Sequence, residues 1–250
     1  MNVIAEIFRA GGAEPVETAD AEALIAGLEQ QIGSAVPRTF RQFLSLANGA
    51  ELLGRFSNCD NPIPFRELGR IPEGWSGYNP FRHRLLPFMY ENQGVCTWAL
   101  ALDEGDDPRV LVENDSGVPP IWQTVADSFS LWLECQVSDW PLNPTCKFAA
   151  QAPELDEAGL ALLRRSFREG HATYAWPGAR NYRFSNARSK LLLWSTEGQC
   201  DWWVSPLPGI PFGDALDELR GIPGLVDAIY ALDHQDDAFL RSWKMRAAAG

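Results

Sequence analysis

The chain has 250 residues, of which 46% are hydrophobic and 22% are charged. These proportions supply enough apolar side chains for a core, exclude wholesale disorder, and with this length favour one or two domains. The 33 acidic and 21 basic residues give a net charge of −12, which argues against a nucleic-acid partner because phosphates would repel the chain, and which suits a basic protein partner or simple solubility.

Two further properties bear on location. The amino terminus lacks a basic stretch followed by a long apolar run, and no window approaches about 18 uncharged apolar residues, so we expect neither a secretory signal nor a membrane partner. The five scattered cysteines form no Cys-x-x-Cys pair. In a chain of this length they are typical of reduced thiols in a cytoplasmic protein.

The first predicted elements are two helices. Residues 21–32 carry an apolar stripe at helical spacing and end at Gly33, and a second helix starts at Pro37 and stops at Asn48-Gly49. Residues 50–84 are predicted to be irregular. The pattern then favours strands at 86–90, 95–102 and 109–113, a hairpin turn at 103–108, and a closing helix over about 128–138. The predicted core of this half includes Leu24, Leu28, Phe40, Phe43, Leu44, Trp98, Leu100, Phe129 and Leu133.

Residues 139–153 hold three prolines and little periodicity, which makes them the candidate boundary between residues 1–145 and residues 151–250. Because this segment is short and contains Trp140, Leu142 and Phe148, we expect the second region to pack on the first. The second region is predicted to contain helices at 155–168, 212–219, 225–232 and 236–246, and strands at 172–176, 181–185, 190–194 and 201–205. Trp202 and Trp203 should point to opposite faces of the last strand.

Charge is distributed unevenly between these regions. Residues 1–150 hold 20 acidic and 10 basic residues, a net charge of −10, whereas residues 151–250 hold 13 and 11, a net charge of −2. The acidity therefore belongs to the first half, and it bears on partners rather than on fold.

Regular catalytic and cofactor motifs are absent from the sequence. It contains no Gly-x-Ser-x-Gly, phosphate-loop, dinucleotide-binding or His-Glu-x-x-His pattern. The three histidines, His83, His171 and His234, are far apart in the chain. We therefore expect no enzyme activity, no metal and no organic cofactor.

Carboxylates concentrate around the predicted hairpin. Its turn lacks the EF-hand calcium spacing, so it is either a solvated turn or part of an interface with a basic partner. The strand exit that follows could extend the same acidic rim, and a glutamate before the second strand could contribute. The candidate partner-binding carboxylates are Glu91, Asp103, Glu104, Asp106, Asp107, Glu113 and Asp115.

Two aromatic residues, Trp75 and Tyr78, lie in a Gly-rich loop. Trp and Tyr are frequent interface hot spots, so these rings either contact a partner or anchor the loop to its own domain. Both are included in the predicted binding surface.

Two stretches of the first half, taken together, resemble a known protein family. The first is Leu28–Gly33, Val36–Leu44 and Asn48-Gly49, and the second is Phe88–Leu100, Asp107–Val110, Trp122 and Asp127–Leu133. This order, over roughly residues 20–138, resembles the SUKH superfamily (Smi/Knr-like), which includes fungal cell-wall-synthesis regulators and many bacterial immunity proteins of polymorphic toxin systems.

The resemblance implies an α+β fold in which helices flank a mainly antiparallel central sheet, with residues 151–250 as a C-terminal α+β extension or second domain. It also implies binding and neutralisation of a toxin, and the acidity of the first half independently suits a basic toxin domain. Two alternatives stay open. One is a regulatory or scaffold module on the same fold, and the other is an enzyme that pairs His234 with Asp236 or Glu91 with His83.

Overall fold

The computed structural model describes residues 2–71, 75, 77–115, 119–139, 146, 148–152, 155–175 and 178–248. The chain divides into two compact units, Met1–Trp140 and Pro141–Gly250. Each contains helices and a mostly antiparallel sheet, which confirms the predicted α+β class. The packing prediction rests on Trp140, Leu142 and Phe148. Trp140 and Leu142 lie outside the described residues, and Phe148 is buried in the core of the second unit.

The first unit contains a five-stranded antiparallel sheet, in which the strands lie side by side in the order in which they occur in the sequence. The helices are α1 (Val3–Ala10), α2 (Ala21–Ile32), α3 (Arg38–Leu44), α4 (Gly49–Arg55) and α5 (Phe129–Asp139), with short 3-10 turns at Phe65–Glu67 and Pro80–His83. The strands are β1 (Asn61–Pro62), β2 (Leu85–Tyr90), β3 (Thr97–Ala101), β4 (Val110–Asp115) and β5 (Ile121–Ala126).

The core of this unit is aromatic. The ring of Phe129 lies 5.2 Å from that of Phe40, 5.8 Å from that of Phe43 and 5.7 Å from that of Phe88. Trp132, one turn along α5, packs edge-on against Phe88 at 5.2 Å. Helix α5 and strand β2 therefore meet through aromatic rings, in the edge-to-face geometry that aromatic pairs favour.

Most of the predicted core is confirmed, and two residues are wrong. Leu24 is 56% exposed, because α2 buries the stripe formed by Ala21, Ile25, Leu28 and Ile32 and leaves Leu24 at its margin. Trp98 is only half-buried. The confirmed core residues are Leu28, Phe40, Phe43, Leu44, Leu100, Phe129 and Leu133.

The hairpin and helix α2, the first of the predicted helices, follow the prediction. Helix α2 has the expected bounds, and Gly33 ends it in the left-handed conformation at φ +67°. The second predicted helix does not end at Asn48-Gly49, however, because α3 ends at Leu44. The Asn48 side-chain oxygen accepts a hydrogen bond from the backbone N–H of Val16 at 2.8 Å, and its amide donates to the carbonyl of Glu14 at 3.0 Å. Asn48 thereby anchors the segment before α2, and the chain re-enters a helix at Gly49.

The second unit contains a larger sheet in the order β12-β6-β11-β10-β9-β7, with β8 also paired to β9. Its strands are β6 (Phe148–Ala152), β7 (Arg168–Glu169), β8 (Thr173–Ala175), β9 (Ala179–Ser185), β10 (Ser189–Thr196), β11 (Gln199–Pro206) and β12 (Ile229–Ala231). Its helices are α6 (Glu157–Ser166), α7 (Phe212–Asp217), α8 (Leu225–Ala228) and α9 (Asp237–Ala248), with a 3-10 turn at His234–Asp236.

The predicted helix over 225–232 is wrong beyond Ala228. Ile229 pairs with Ala150 in the sheet, so tertiary pairing overrides the local apolar pattern there. Trp202 and Trp203 alternate as predicted, because Trp202 is buried beneath the helices and Trp203, on the other face, is half-buried.

Candidate interaction surface

The acidic hairpin turn joins β3 to β4. Asp103 and Asp106 are exposed, whereas Glu104 and Asp107 are half-buried. The turn is therefore at the surface, as the sequence predicts, but its four carboxylates have different surroundings.

Glu104 is engaged by Arg109, at the other end of the turn. The Arg109 Nε donates to both carboxylate oxygens, at 2.8 and 2.7 Å, and the same guanidinium donates to Thr124 Oγ1 at 3.3 Å. Hydrogen bonding from Arg109 lowers the pKa of Glu104. This pair braces the turn against β5 and neutralises one of its four negative charges.

Asp107 is a helix-capping residue. Its carboxylate accepts hydrogen bonds from the Ser130 backbone N–H at 3.0 Å and from the Ser130 hydroxyl at 2.5 Å. Ser128 Oγ accepts from the Leu131 N–H at 3.2 Å. Two of the open N–H groups at the start of α5 are thus satisfied, and a negative charge lies at the positive end of the helix.

Asp106 joins the same turn to α3. Its carbonyl oxygen accepts from both the N–H and the hydroxyl of Thr39, each at 3.0 Å. Its carboxylate lies 3.1 Å from the Arg38 Nε in an exposed ion pair. The turn is consequently a structural joint between the sheet, α3 and α5, and Asp103 and Asp106 are the carboxylates that it presents to solvent.

Glu91 and Asp60 organise the opposite end of the sheet. The Glu91 carboxylate accepts from the N–H groups of Gln93 and Val95, at 2.6 and 3.4 Å, and so closes the turn between β2 and β3. Asp60 accepts from the Asn92 N–H at 3.2 Å. Burial, with a smaller contribution from Glu91, raises the pKa of Asp60 to about 6. The sequence reasoning missed Asp60, because it comes from a loop distant in the chain.

The predicted extension of the acidic rim along β4 is wrong for Glu113. This side chain is only 5% exposed, at a position paired with Trp122 of β5. Asp115 is the last residue of β4 and pairs with Ile121, but its side chain lies outside the described part of the structure. The exposed acidic surface therefore does not include Glu113.

Trp75, Tyr78, Trp122 and His83 form one aromatic cluster. The Tyr78 hydroxyl accepts from the Trp122 indole N–H at 3.2 Å, and the Trp75 ring lies 5.6 Å from Tyr78 and 5.7 Å from Trp122. The His83 ring stacks on Tyr78 at 4.8 Å with an interplanar angle of 13°. Tyr78 is buried, so its predicted partner contact is wrong and it anchors the loop instead. Trp75 and Trp122 are half-buried and retain an accessible edge.

The arginines beside this cluster are not among the binding residues predicted from the sequence. Arg82 and Arg84 flank His83, and all three are exposed. The sequence does contain a signal for them: residues 62–84 hold four arginines against two glutamates, within a half of the chain whose net charge is −10.

The histidines and the glutamate considered for catalysis each have other surroundings. His234 is fully exposed, 3.3 Å from the Asp237 carboxylate, while Glu91 is bound within its own turn and His83 is stacked on Tyr78. Among the described residues, no three His, Cys, Asp or Glu side chains are grouped so as to hold a metal ion. All five cysteines are free, and no helix in the described ranges is long and apolar enough to cross a membrane.

Part of the first unit is similar to a known protein family. The model of the SMI1/KNR4 family (SUKH-1) matches residues 21–135, from the first residue of α2 into α5. No curated protein and no solved structure matches significantly.

Proposed function

We propose that this chain is an immunity protein, because the model of the SMI1/KNR4 family (SUKH-1) matches residues 21–135. It binds and neutralises a cognate polymorphic toxin domain in the cytoplasm, by occupying the toxin rather than by catalysis. Family membership is consistent with this role. The choice of a basic toxin as the partner rests on charge.

The observation that carries the proposal is the charge of the first unit. Residues 1–140 hold 20 acidic and 9 basic residues, a net charge of −11, against 13 and 12 in residues 141–250. Many of these carboxylates are at the surface, including Glu14, Glu17, Asp103 and Asp106. Such a field accelerates encounter with a basic surface, and the acceleration weakens as salt screens it.

The structure revises how the hairpin turn would contribute. Since Glu104 is paired with Arg109 and Asp107 is bound to Ser130, neither is available as a new hydrogen-bond acceptor. Asp107 still adds its charge to the field, because Ser130 is neutral. A toxin would meet Asp103 and Asp106 at the rim of the contact, where Asp106 already forms an exposed ion pair with Arg38. Rim charges act mainly on the association rate.

A regulatory or scaffold module of the same fold is the alternative. Such a module would have the same binding surface and acidic first unit as the proposed immunity protein, and it too would act without catalysis. The two proposals differ in what binding does to the partner, since an immunity protein abolishes its toxicity and a scaffold leaves its activity intact.

The test uses the protein encoded beside this gene. Its C-terminal domain would be purified and titrated with the full 250-residue chain by calorimetry, and the two would be co-expressed in cells that the domain alone kills. We expect a stoichiometric complex and restored growth. Binding without restored growth would favour the scaffold, and neither binding nor protection would refute both.

A further inference from the structure

A basic segment adjoins the aromatic cluster of the first unit. Pro80–His83 form a 3-10 turn, and Asn79 Oδ1 accepts from the Phe81 N–H at 3.0 Å to start it. The turn positions His83 against the buried Tyr78 ring. Arg82 and Arg84, on either side of His83, are therefore held on a fixed backbone with their side chains in solvent.

These two arginines differ from most of the other arginines of the first unit. Arg9, Arg38, Arg41 and Arg109 each pair with a carboxylate of the first unit. Neither Arg82 nor Arg84 makes an ion pair with any carboxylate that the structure describes. An exposed guanidinium without an internal partner is available to a carboxylate of another molecule.

The contrast in charge is local. Residues 62–84 hold four basic and two acidic residues, whereas the rest of residues 1–140 holds five basic and 18 acidic residues. The segment 62–84, here called the positive island, is thus net positive in sequence within an otherwise strongly negative unit. Such an island would attract a compact acidic group, while an extended polyanion would be repelled by the surface around it.

Arg84, the last residue of the island, lies at the same edge of the sheet as the acidic turn. The Arg84 carbonyl accepts from the Leu102 N–H at 2.7 Å, and Leu102 directly precedes Asp103. A positive and a negative group therefore lie close together at this edge, which suits a protein surface of mixed charge. Trp75 and Trp122 are partly exposed and are linked to this segment through Tyr78, on which His83 stacks. Trp, Tyr and Arg are the residue types most enriched at binding hot spots.

We propose that Trp75, Trp122, Arg82 and Arg84, here termed the Arg–Trp surface, bind a carboxylate-bearing segment of a protein partner. The inference rests on the proposed function in taking that partner to be the toxin domain. It places the toxin's basic region opposite the acidic turn and a cluster of its own carboxylates opposite the two arginines.

Arg84 permits a clean test. Its φ of +58° is in the left-handed region, which Gly adopts at lower cost. The variant Arg82→Gln/Arg84→Gly removes both charges without placing a poorly suited residue on the backbone. The matched control is Arg165→Gln/Arg168→Gln, which removes the same charge from exposed positions of the second unit.

With the neighbouring gene's toxin domain, we expect the Arg82/Arg84 variant to bind about tenfold or more weakly and the control to bind within about twofold of the unmodified protein. Thermal unfolding of both variants should match that of the unmodified chain. Equal affinities for the two variants would overturn the assignment of the surface while leaving toxin binding intact.

A second measurement does not depend on the toxin. An eight-residue peptide of alternating Glu and Asp, and an eight-residue thymidine oligonucleotide, would each be titrated into the full chain while the Trp indole N–H signals are followed by NMR. We expect the peptide to shift the Trp75 and Trp122 signals, and the shift to vanish in the Arg82/Arg84 variant.

The outcomes separate the two proposals. Peptide-induced shifts without toxin binding would refute the toxin domain as the partner and would support the Arg–Trp surface as a site that binds carboxylates. Stronger shifts with the oligonucleotide would overturn the surface in favour of a nucleic-acid partner, and absence of shifts with either probe would overturn it outright.

Discussion

Asp107 should contribute to folding rather than to binding, although it is one of the carboxylates of the acidic turn. Replacing it with Ala removes two charge-assisted hydrogen bonds to Ser130 and the negative charge at the start of α5. A capping bond contributes about 1 kcal/mol, the helix-terminus charge roughly 0.3–1 kcal/mol and the hydroxyl contact a similar amount. We expect the free energy of unfolding of the first unit to fall by about 2 kcal/mol.

Three further variants separate these contributions. Asp107→Asn keeps an oxygen acceptor for the Ser130 N–H and should cost about 1 kcal/mol, through loss of the charge. Ser130→Ala removes only the hydroxyl and should cost up to about 1 kcal/mol. Asp103→Ala is the matched control, since Asp103 is exposed in the same turn and should change stability by no more than about 0.5 kcal/mol.

Urea unfolding followed by Trp fluorescence is suitable because Trp132 is buried within α5. Native-state hydrogen exchange at Ser130 and Leu131 would localise the effect to the first turn of the helix. If Asp107→Ala were as stable as Asp103→Ala, or if those amides exchanged at unchanged rates, the interpretation of the turn as a structural joint would be wrong.

Three other outcomes are expected. Phe43→Ala should cost about 3–5 kcal/mol, because the buried ring packs on Phe40 and Phe129, whereas Leu24→Ala at an exposed position should cost far less; near-equal urea midpoints would contradict this. The pKa of Asp60 is raised from 3.8 to about 6 in the folded chain, so its contribution is present below about pH 4 and is lost as the pH rises through 6. The free energies of unfolding of the unmodified protein and of Asp60→Asn should therefore differ by an amount that changes by about 1 kcal/mol between pH 4 and 7, a value reduced to allow for the partial exposure of Asp60. A difference that stays constant with pH would refute this prediction. Replacing Asp103 and Asp106 together with Asn should slow association with a basic toxin domain about two- to fivefold and flatten its salt dependence, with little change in dissociation; stopped-flow rates that are unaltered across salt concentrations would remove the turn from the encounter surface.

Much of the first unit could be predicted because its signals are local. The stripe of α2, the left-handed Gly33 and the hairpin turn are each determined by a few neighbouring residues. Prediction failed where distant residues decide the outcome. Asn48 is used to hold Val16 and Glu14, and Ile229 becomes a strand because Ala150 is there to pair with it.

The candidate site follows the same division. That the 103–107 turn is exposed could be predicted from its composition. The internal partners of Glu104 and Asp107, the burial of Glu113 and the stacking of His83 on Tyr78 could not, since the groups involved come from separate elements. The aromatic loop carries no periodicity from which its buried and exposed rings could be distinguished.

The two sheets differ in how soon their strands can pair while the chain is being synthesised. In the first, each strand pairs with the strand made just before it, so pairing can keep pace with the ribosome. In the second, β6 is made first but pairs with β11 and β12, and about 50 residues must follow before β11 exists. At about 5–20 residues per second this is a wait of roughly 2–10 s. Four of the five residues of β6 are Ala or Gln, a composition with low β-propensity, which lowers the risk of premature intermolecular pairing during that interval.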